Sequence, residues 1–175
     1  RTLNADGSKA GIPAPYSLAR CWVAELVDAV EHCHAHHLVH RDLKPENMML
    51  DSKGHVKLID FGTCKDLEDS SLNGPEFVGT PEYMSPEAIN NQYATQRADL
   101  WSFGVFIAQI VTGWPCFKGG SDYLTFKRVL ARKYRLPEGT PLLAESLIEQ
   151  LCVSQGVKIE VPLLPSRSGA SDTGQ

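Results

Sequence analysis

The chain has 175 residues, 42% of them apolar, and a formal net charge of −4 at pH 7. A chain of this size can bury a substantial core. Its basic residues are scattered, which excludes the concentrated positive surface that nucleic acids or anionic membranes attract. The longest apolar stretch, residues 105–111, is far shorter than the roughly eighteen residues of a membrane span. We therefore expect a soluble, cytoplasmic protein whose partners are proteins and small molecules.

Cysteine and histidine are abundant enough to raise the question of a metal site or disulfides. The five cysteines are odd in number and include no CxxC pair, which favours reduced structural thiols. Four histidines occupy positions 32, 34, 36 and 37. They are best explained as surface or helix-end residues, because no second ligand pair at zinc-like spacing accompanies them.

The first element predicted along the chain is a long helix. Residues 1–16 are Gly, Pro and polar residues without a repeating pattern, which indicates a loop that leads into it. Ser17 is a candidate N-cap. From there to His37, apolar residues recur at spacings of three and four, which is typical of one buried helical face.

A short hairpin is predicted next. Residues 48–50 and 56–59 flank a turn sequence, Asp-Ser-Lys-Gly, at positions 51–54. Residues 60–88 are rich in Gly, Pro, Asp, Glu and Ser, and this stretch is too long for an ordinary connection. Loops of that length are usually functional.

The remaining elements are helical. Residues 99–111 are apolar nearly all round and are followed by Gly113, which predicts a helix at the centre of the fold with a glycine stop. Shorter helices are predicted over residues 122–132 and 142–151. Residues 152–175 lose the periodicity, and their composition predicts an irregular or disordered tail.

Two short motifs carry the chemistry. Residues 40–47 read HRDLKPEN and lie between the long helix and the hairpin, and residues 60–62 read DFG after the second strand. Together, and in this order, they match the catalytic-loop and magnesium-loop signatures of protein kinases. Lone Asp and Asn residues near Gly are usually turn or cap residues, but that explanation does not account for two motifs in register.

The residue types in these motifs suit phosphoryl transfer, which needs a proton acceptor, cations to spread charge, and rigid positioning. Asp42 is the predicted proton acceptor for a substrate hydroxyl. Asn47 and Asp60 offer the hard oxygens that Mg²⁺ prefers and are the predicted metal ligands. Lys44 is predicted to neutralise the transferring phosphoryl group.

Over residues 17–151 the chain resembles the eukaryotic protein kinases, and within them the phosphoinositide-dependent kinases of the AGC group. Lys-Pro at positions 44–45 is similar to the serine/threonine branch. The closer resemblance rests on residues 60–65 (DFGTCK), 77–80 (FVGT) and 117–137. It implies the mainly α-helical C-lobe of the α+β protein kinase fold, with the N-lobe absent, and ATP and Mg²⁺ as cofactors.

The resemblance assigns further roles. Thr80 would contact Asp42 and Lys44 in the loop that docks substrates. The backbone carbonyl of Glu46 would lie near the nucleotide ribose. Asp99 would brace the catalytic loop from the central helix, a role compatible with the plainer one of an N-cap.

Two positions depart from the kinase pattern. Glu76 stands where this group carries its activation-loop phosphoacceptor, and it brings one charge where a phosphate brings nearly two. A phosphate there would pair with Arg41 and Lys65. We expect Glu76 to pair with Arg41 and to hold the loop without phosphorylation; the alternative is a solvated carboxylate. Glu87 lacks the arginine that the family places near its C-terminal end, so we expect an unpaired, poorly held carboxylate.

A third departure concerns the groups that cover and clamp the ATP phosphates. No Gly-rich loop, strand lysine or partner glutamate precedes the catalytic loop in this chain. We therefore expect residues 17–151 to be a partial kinase domain. On its own it should bind nucleotide poorly and be inactive.

The implied function is ATP-dependent phosphorylation of Ser or Thr in proteins, with the activation loops of other kinases as substrates. Two alternatives stay open. One is a pseudokinase or scaffold that binds partners through residues 123–134, against which the intact Asp42, Asn47 and Asp60 argue. The other is a nonfunctional truncated fragment. Any recruitment to a membrane would require a domain outside this chain.

Overall fold

A computed structural model describes residues 11–69 and 76–153. Within them, helices carry most of the regular structure: α1 (Tyr16–Ala35), α2 (Pro86–Ile89), α3 (Gln96–Thr112), α4 (Asp122–Leu130) and α5 (Leu142–Leu151). Two antiparallel pairs of very short strands complete it: β1 (Leu38–Val39) with β4 (Lys65–Asp66), and β2 (Met48–Leu50) with β3 (Val56–Leu58). Single 3₁₀ turns cover Pro45–Asn47 and Phe61–Thr63. The predicted α+β architecture with mainly helical content is confirmed.

Helix α1 buries one face because its apolar residues recur every three or four positions. The buried side chains are Ala19, Leu26, Val30 and Cys33. The helix begins at Tyr16, and no side chain caps it, so the prediction that Ser17 is the N-cap is wrong. It ends at Ala35 rather than at His37, because His37 has a φ of 59°, which an α-helix cannot continue.

Helix α3 runs through the centre of the fold. Nearly every residue from Ala98 to Ala108 is buried, as the apolar character on all its sides predicts. It begins at Gln96, and its cap is Thr95, whose side chain accepts a backbone N–H bond of 3.4 Å; the N-cap prediction for Asp99 is therefore wrong. The predicted stop at Gly113 is confirmed, with a left-handed φ of 78° that glycine adopts at little cost.

Helix α5 packs against α3 and closes the core. Trp101 of α3 stacks on Phe117 with ring centroids 5.1 Å apart, and both side chains are fully buried. The two helices approach closely at Gly104, which lies against Leu151 and Cys152. Cys152 is 0% exposed, although it is the first residue of the stretch predicted as an irregular tail. Residues 154–175 of that stretch lie outside the described residues.

The predicted hairpin is confirmed, with Met48 opposite Leu58 and Leu50 opposite Val56. Its turn is organised by Asp51, whose Oδ1 accepts backbone N–H bonds from residues 53 and 55 at 2.8 and 3.0 Å.

Glu25 attaches this hairpin to α1. One of its oxygens lies 2.5 Å from Nδ1 of His55, and the other accepts the N–H of Val56 at 2.7 Å. The hydrogen bond with His55 lowers the pKa of the Glu25 carboxyl and raises the pKa of the His55 imidazole. Because α1 is part of the core, the hairpin and the motifs on either side of it have a fixed position.

The pairing of β1 with β4 carries no sequence signal, because strands of two residues are too short to show a periodic pattern. Leu38 lies opposite Asp66, and Val39 lies opposite Lys65. Strand β1 leads directly into residues 40–47, and β4 closely follows residues 60–62. The pairing therefore holds the two predicted motifs side by side.

The long segment 60–88 is not structureless. Besides its 3₁₀ turn and β4, it includes the start of the short helix α2, whose N-cap Ser85 accepts the N–H of Ala88 at 3.3 Å. Residues 70–75 lie outside the described residues. In the described part of the chain, no helix is both long and apolar enough to cross a membrane.

We expect Gly104→Ala to destabilise the chain by about 1–3 kcal/mol, because overpacking a tight core costs that much. An added Cβ would lie 2.8 Å from Sγ of Cys152 and 3.0 Å from Cβ of Leu151. The matched control is Gly120→Ala, where an added Cβ meets nothing within 4 Å. Urea denaturation measures both variants, and equal free energies of unfolding would contradict the close packing of α3 on α5.

Candidate active site

Residues 40–47 connect β1 to β2, and their backbone is strained at one point. Arg41 has a φ of 68°, a value that a non-glycine residue keeps only where its surroundings enforce it. Asp99 of α3 enforces it here, because its Oδ2 accepts the N–H of His40 and its Oδ1 accepts the N–H of Arg41, both at 2.8 Å. Asp99 is 0% exposed, so water does not compete for these bonds. The backbone immediately before Asp42 is thereby fixed.

His34 is a further partner of Asp99 that the sequence does not reveal. Its Nε2 lies 2.9 Å from Oδ2 of Asp99. His34 lies in the last turn of α1, as expected of a helix-end histidine, but its side chain is only 14% exposed. Nothing in the local sequence separates it from the neighbouring histidines, because its partner is 65 positions away.

The carboxylate of Asp42 brings three other predicted site residues together. Its Oδ2 accepts hydrogen bonds from Nζ of Lys44 at 2.6 Å and from Nδ2 of Asn47 at 3.0 Å. Its Oδ1 accepts from the N–H and the hydroxyl of Thr80 at 3.0 and 2.8 Å. Lys44 also donates to Oγ1 of Thr80 at 2.7 Å. We call Asp42, Lys44, Asn47 and Thr80 the Asp42 cluster.

These contacts decide the charge state of Asp42. Burial raises the pKa of its carboxyl, but the hydrogen bonds from Lys44 and Thr80 and the positive charge of Lys44 outweigh burial and bring the pKa below its usual value. Asp42 is therefore an anion at neutral pH. A fixed anion with oriented oxygens can accept a proton from a hydroxyl.

Asp60 lies next to the Asp42 cluster, and no hydrogen bond joins the two within the described residues. Ile59, the residue before it, donates its N–H to the carbonyl of Asn47 at 2.9 Å, which sets the two motifs side by side. Asp60 has a φ of 63°, and its Oδ1 accepts the N–H of Gly62 at 3.3 Å. Its side chain is otherwise exposed to solvent.

Thr63 links the two motifs directly, and the sequence gives no signal for it. Its hydroxyl donates to the carbonyl of His40 at 2.9 Å. Its own carbonyl accepts from Nε of Arg41 at 2.5 Å. The loop after Asp60 is therefore hydrogen-bonded to the loop before Asp42.

The donor set of Asn47 and Asp60 fits Mg²⁺. Asn47 turns its amide nitrogen toward Asp42, which leaves its amide oxygen for another partner. In the described part of the chain, no three His, Cys, Asp or Glu side chains group closely enough to bind a metal by themselves. Two protein oxygens suit Mg²⁺ in particular, because it usually takes its remaining ligands from water and phosphate.

Glu46 lies in the 3₁₀ turn beside the Asp42 cluster. Its side chain is exposed and lines an open cleft of about 280 Å³, together with Thr80, Tyr83 and Gln109. The hydroxyl of Tyr83 donates to Oε1 of Gln109. The cleft therefore meets the Asp42 cluster at Thr80.

Glu76 is paired rather than solvated. Nζ of Lys65 donates to its Oε1, the N–H of Ala94 donates to its Oε2 at 2.9 Å, and Nη1 of Arg41 lies 3.8 Å from Oε2. The predicted partner Arg41 therefore lies near Glu76, but Lys65 is the closer cation and makes the hydrogen bond. Burial raises the pKa of the Glu76 carboxyl, but the bonds from Lys65 and Ala94 and the two positive charges bring it below its usual value.

Glu87 lies in the first turn of α2 and is 5% exposed. It has an interaction partner within the fold, so the expectation of an unpaired carboxylate is wrong. A buried carboxylate can be satisfied by groups other than the arginine that the resemblance to kinases implies.

The family model of the protein kinase domain matches residues 7–155 of the chain. The chain therefore belongs to the protein kinase family, and its two kinase motifs lie side by side through the bond from the N–H of Ile59 to the carbonyl of Asn47.

Its curated relatives include phosphoinositide-dependent kinases. The 3-phosphoinositide-dependent protein kinase 1 of Homo sapiens is 40% identical over 141 residues, which are 79% of this chain and 25% of that protein. The protein of the same name from Arabidopsis thaliana is 40% identical over 143 residues, 76% of this chain and 29% of that protein. Serine/threonine-protein kinase PKH2 of Saccharomyces cerevisiae is 39% identical over 146 residues, 77% of this chain and 14% of that protein. The predicted similarity to serine/threonine kinases of this group is confirmed, and the chain spans less than a third of the length of each of these three relatives.

We expect Asp99→Asn to destabilise the chain by about 2 kcal/mol or more, since it directs an amide donor at a buried backbone N–H and leaves both unsatisfied. The control is Asp122→Asn at the exposed start of α4, where loss of the helix-end charge should cost less than about 1 kcal/mol. Urea denaturation at pH 7 gives both free energies of unfolding. A difference of less than about 0.5 kcal/mol between the variants would contradict the role of Asp99 in holding the loop.

Proposed function

We propose that residues 17–151 are the C-lobe of a serine/threonine protein kinase, which transfers the γ-phosphate of ATP to a hydroxyl of a protein substrate. The observation that carries the proposal is the Asp42 carboxylate, ionised and held in place by Lys44, Asn47 and Thr80. Such a group can orient a substrate hydroxyl and accept its proton while the phosphoryl group is transferred.

Access to Asp42 requires one of its present partners to move. Each of its two oxygens already accepts two hydrogen bonds. Lys44 is the donor that we expect to give way, because it is partly exposed and has a second acceptor in Thr80, whereas Asn47 is buried. Once released, its ammonium group would neutralise negative charge on the transferring phosphoryl group.

Asn47 and Asp60 would hold Mg²⁺ through their side-chain oxygens. The ion, when bound, neutralises charge on the phosphates of ATP. Glu46, at the cleft beside the Asp42 cluster, would meet the ribose through its backbone carbonyl. Thr80 would belong to the loop that docks the protein substrate, and Glu87, which is buried, would support that loop from α2. The hydrogen bonds of Asn47 and Thr80 to Asp42 support this assignment.

The substrates that we infer are the activation loops of other protein kinases. The support for this inference is the similarity to phosphoinositide-dependent kinases over three quarters of the chain. We further infer a cytoplasmic protein that reaches a membrane only through a domain outside this chain.

We also propose that the chain alone turns over negligibly. The relatives are at least three times as long as the region that they share with it. In kinases, a Gly-rich loop and a strand lysine from the N-lobe grip the ATP phosphates, and this chain shows neither ahead of its catalytic loop.

The proposal predicts activity that depends on both an N-lobe and Asp42. The test compares phosphorylation of an activation-loop peptide by this chain and by a version extended upstream with an N-lobe. Only the extended protein should be active, and Asp42→Asn should lower its kcat by at least about 100-fold, since general-base catalysis contributes that much. Asp28→Asn, on the exposed side of α1, should leave kcat unchanged. No activity in either length would contradict the proposal in favour of a scaffold or a nonfunctional fragment.

The role proposed for Asp60 predicts a specific metal dependence. In the extended protein, Asp60→Asn should raise the Mg²⁺ concentration for half-maximal activity at least about tenfold, because it removes a charged ligand. The fold should be unaffected, since Asn also tolerates the left-handed backbone at this position. Titration of activity with Mg²⁺ measures the change. An unchanged midpoint, equal to that of Asp28→Asn, would exclude Asp60 as a metal ligand.

A further inference from the structure

Two cations that the fold withdraws from water converge on one carboxylate, that of Glu76. Lys65 is 1% exposed, and Nζ of this residue donates to Glu76. The side chain of Arg41 is 9% exposed and places Nη1 3.8 Å from the same carboxylate. A buried cation is costly unless an anion compensates it. Glu76 therefore compensates the charges of two cations that are shielded from water.

Glu76 also joins segments that are distant in the sequence. Lys65 belongs to β4, behind the DFG motif, and Arg41 belongs to the catalytic loop. The N–H of Ala94, just before α3, donates a second hydrogen bond to Glu76, at 2.9 Å. One side chain thus anchors the described segment that begins at residue 76 to three separate parts of the fold.

The anchored segment, residues 76–80, contacts Asp42 through its last residue. Four positions after Glu76, Thr80 donates two hydrogen bonds to the Asp42 carboxylate. Between them Gly79 has a φ of 115°, and a Cβ at this position would lie 2.8 Å from the carbonyl oxygen of Arg41. Residues 76–80 therefore lie directly against the catalytic loop, and whatever fixes Glu76 also fixes the position of Thr80.

We propose that Glu76 is a positioning residue that keeps the catalytic site assembled without phosphorylation. We call Glu76, with Lys65, Arg41 and the N–H of Ala94, the acidic clamp. The clamp holds residues 76–80 against Asp42 by a charge that is part of the polypeptide. Its effect on phosphoryl transfer rests on the proposed function, whereas its effect on the order of residues 76–84 does not.

A single carboxylate suffices because other groups satisfy the two cations in part. The ring of Tyr93 lies 3.6 Å from Nζ of Lys65, measured to the ring centroid, and its negative face attracts the ammonium. The carbonyl of Thr63 accepts a hydrogen bond from Nε of Arg41. The second negative charge that a phosphate would bring is therefore not needed to hold this segment.

Hydrogen–deuterium exchange on the 175-residue chain tests the structural part of the proposal. Glu76→Gln keeps the shape of the side chain and removes its charge. It should speed amide exchange over residues 78–84 at least tenfold. The control Glu68→Gln removes an exposed carboxylate whose partner, His37, is also exposed, and should change exchange less than twofold.

A double-mutant cycle shows whether the charge of Lys65 is what Glu76 compensates. If the clamp exists, adding Lys65→Met to Glu76→Gln should speed exchange less than twofold beyond the single variant, because the buried cation has been removed. The proposal would be overturned if Glu76→Gln exchanged no faster than Glu68→Gln. It would also be overturned if the effects of Lys65→Met and Glu76→Gln on the exchange rate simply multiplied in the double variant.

Kinetics on the upstream-extended protein test the positioning role. After phosphatase treatment, with absence of phosphate verified by mass spectrometry, the unsubstituted protein should keep its activity. Glu76→Gln should lower kcat about tenfold and leave the KM for ATP within twofold, and Glu76→Asp should restore part of kcat. Loss of activity on phosphatase treatment of the unsubstituted protein would overturn the proposal. The two proposals can fail separately. If Glu76→Gln speeds exchange in the 175-residue chain but the extended protein is inactive with and without this substitution, the proposed function is wrong and the acidic clamp is still supported.

Discussion

One buried carboxylate holds the loop on which the site depends. Asp99 accepts hydrogen bonds from two consecutive backbone N–H groups, those of His40 and Arg41, and each of its oxygens serves one of them. The left-handed backbone at Arg41 persists because these bonds form where water cannot replace them. Asp99 lies on α3, the most buried helix of the described residues. This one side chain therefore connects the packed core to the backbone next to Asp42.

Arg41 extends this control to the rest of the site. Its backbone is held by Asp99, its Nε bonds to Thr63 behind the DFG motif, and its Nη1 faces Glu76. The catalytic loop, the DFG loop and residues 76–80 therefore share one charged side chain. Since interactions that share a partner are not independent, substitutions at these positions should couple rather than add. The shared contacts of Arg41 thus hold the three segments of the site together before any substrate binds.

The sequence predicts what is local and periodic. The two motifs, the hairpin and the stop of α3 at Gly113 follow from short patterns, and the structure contains them. The starts of helices are harder to predict from sequence. Thr95 and Asp99 are both residue types that cap helices well, and only the three-dimensional structure shows that Thr95 caps α3. Some contacts join residues that are far apart in the chain and produce no periodic sequence pattern. Examples are the contact of His34 with Asp99 and the hydrogen bond from Ala94 to Glu76. The same holds for β1 and β4, which are too short to produce such a pattern.

The most direct test is a crystal structure of the upstream-extended protein with Mg²⁺, a nonhydrolysable ATP analogue and an activation-loop peptide. We expect the peptide hydroxyl at about 2.6–3.2 Å from an Asp42 oxygen, the distance that proton transfer requires. We also expect Mg²⁺ on Asn47 and Asp60, and Lys44 withdrawn from Asp42 toward the phosphates. A peptide hydroxyl remote from Asp42, or a metal bound by neither Asn47 nor Asp60, would contradict the proposed catalytic role of these residues.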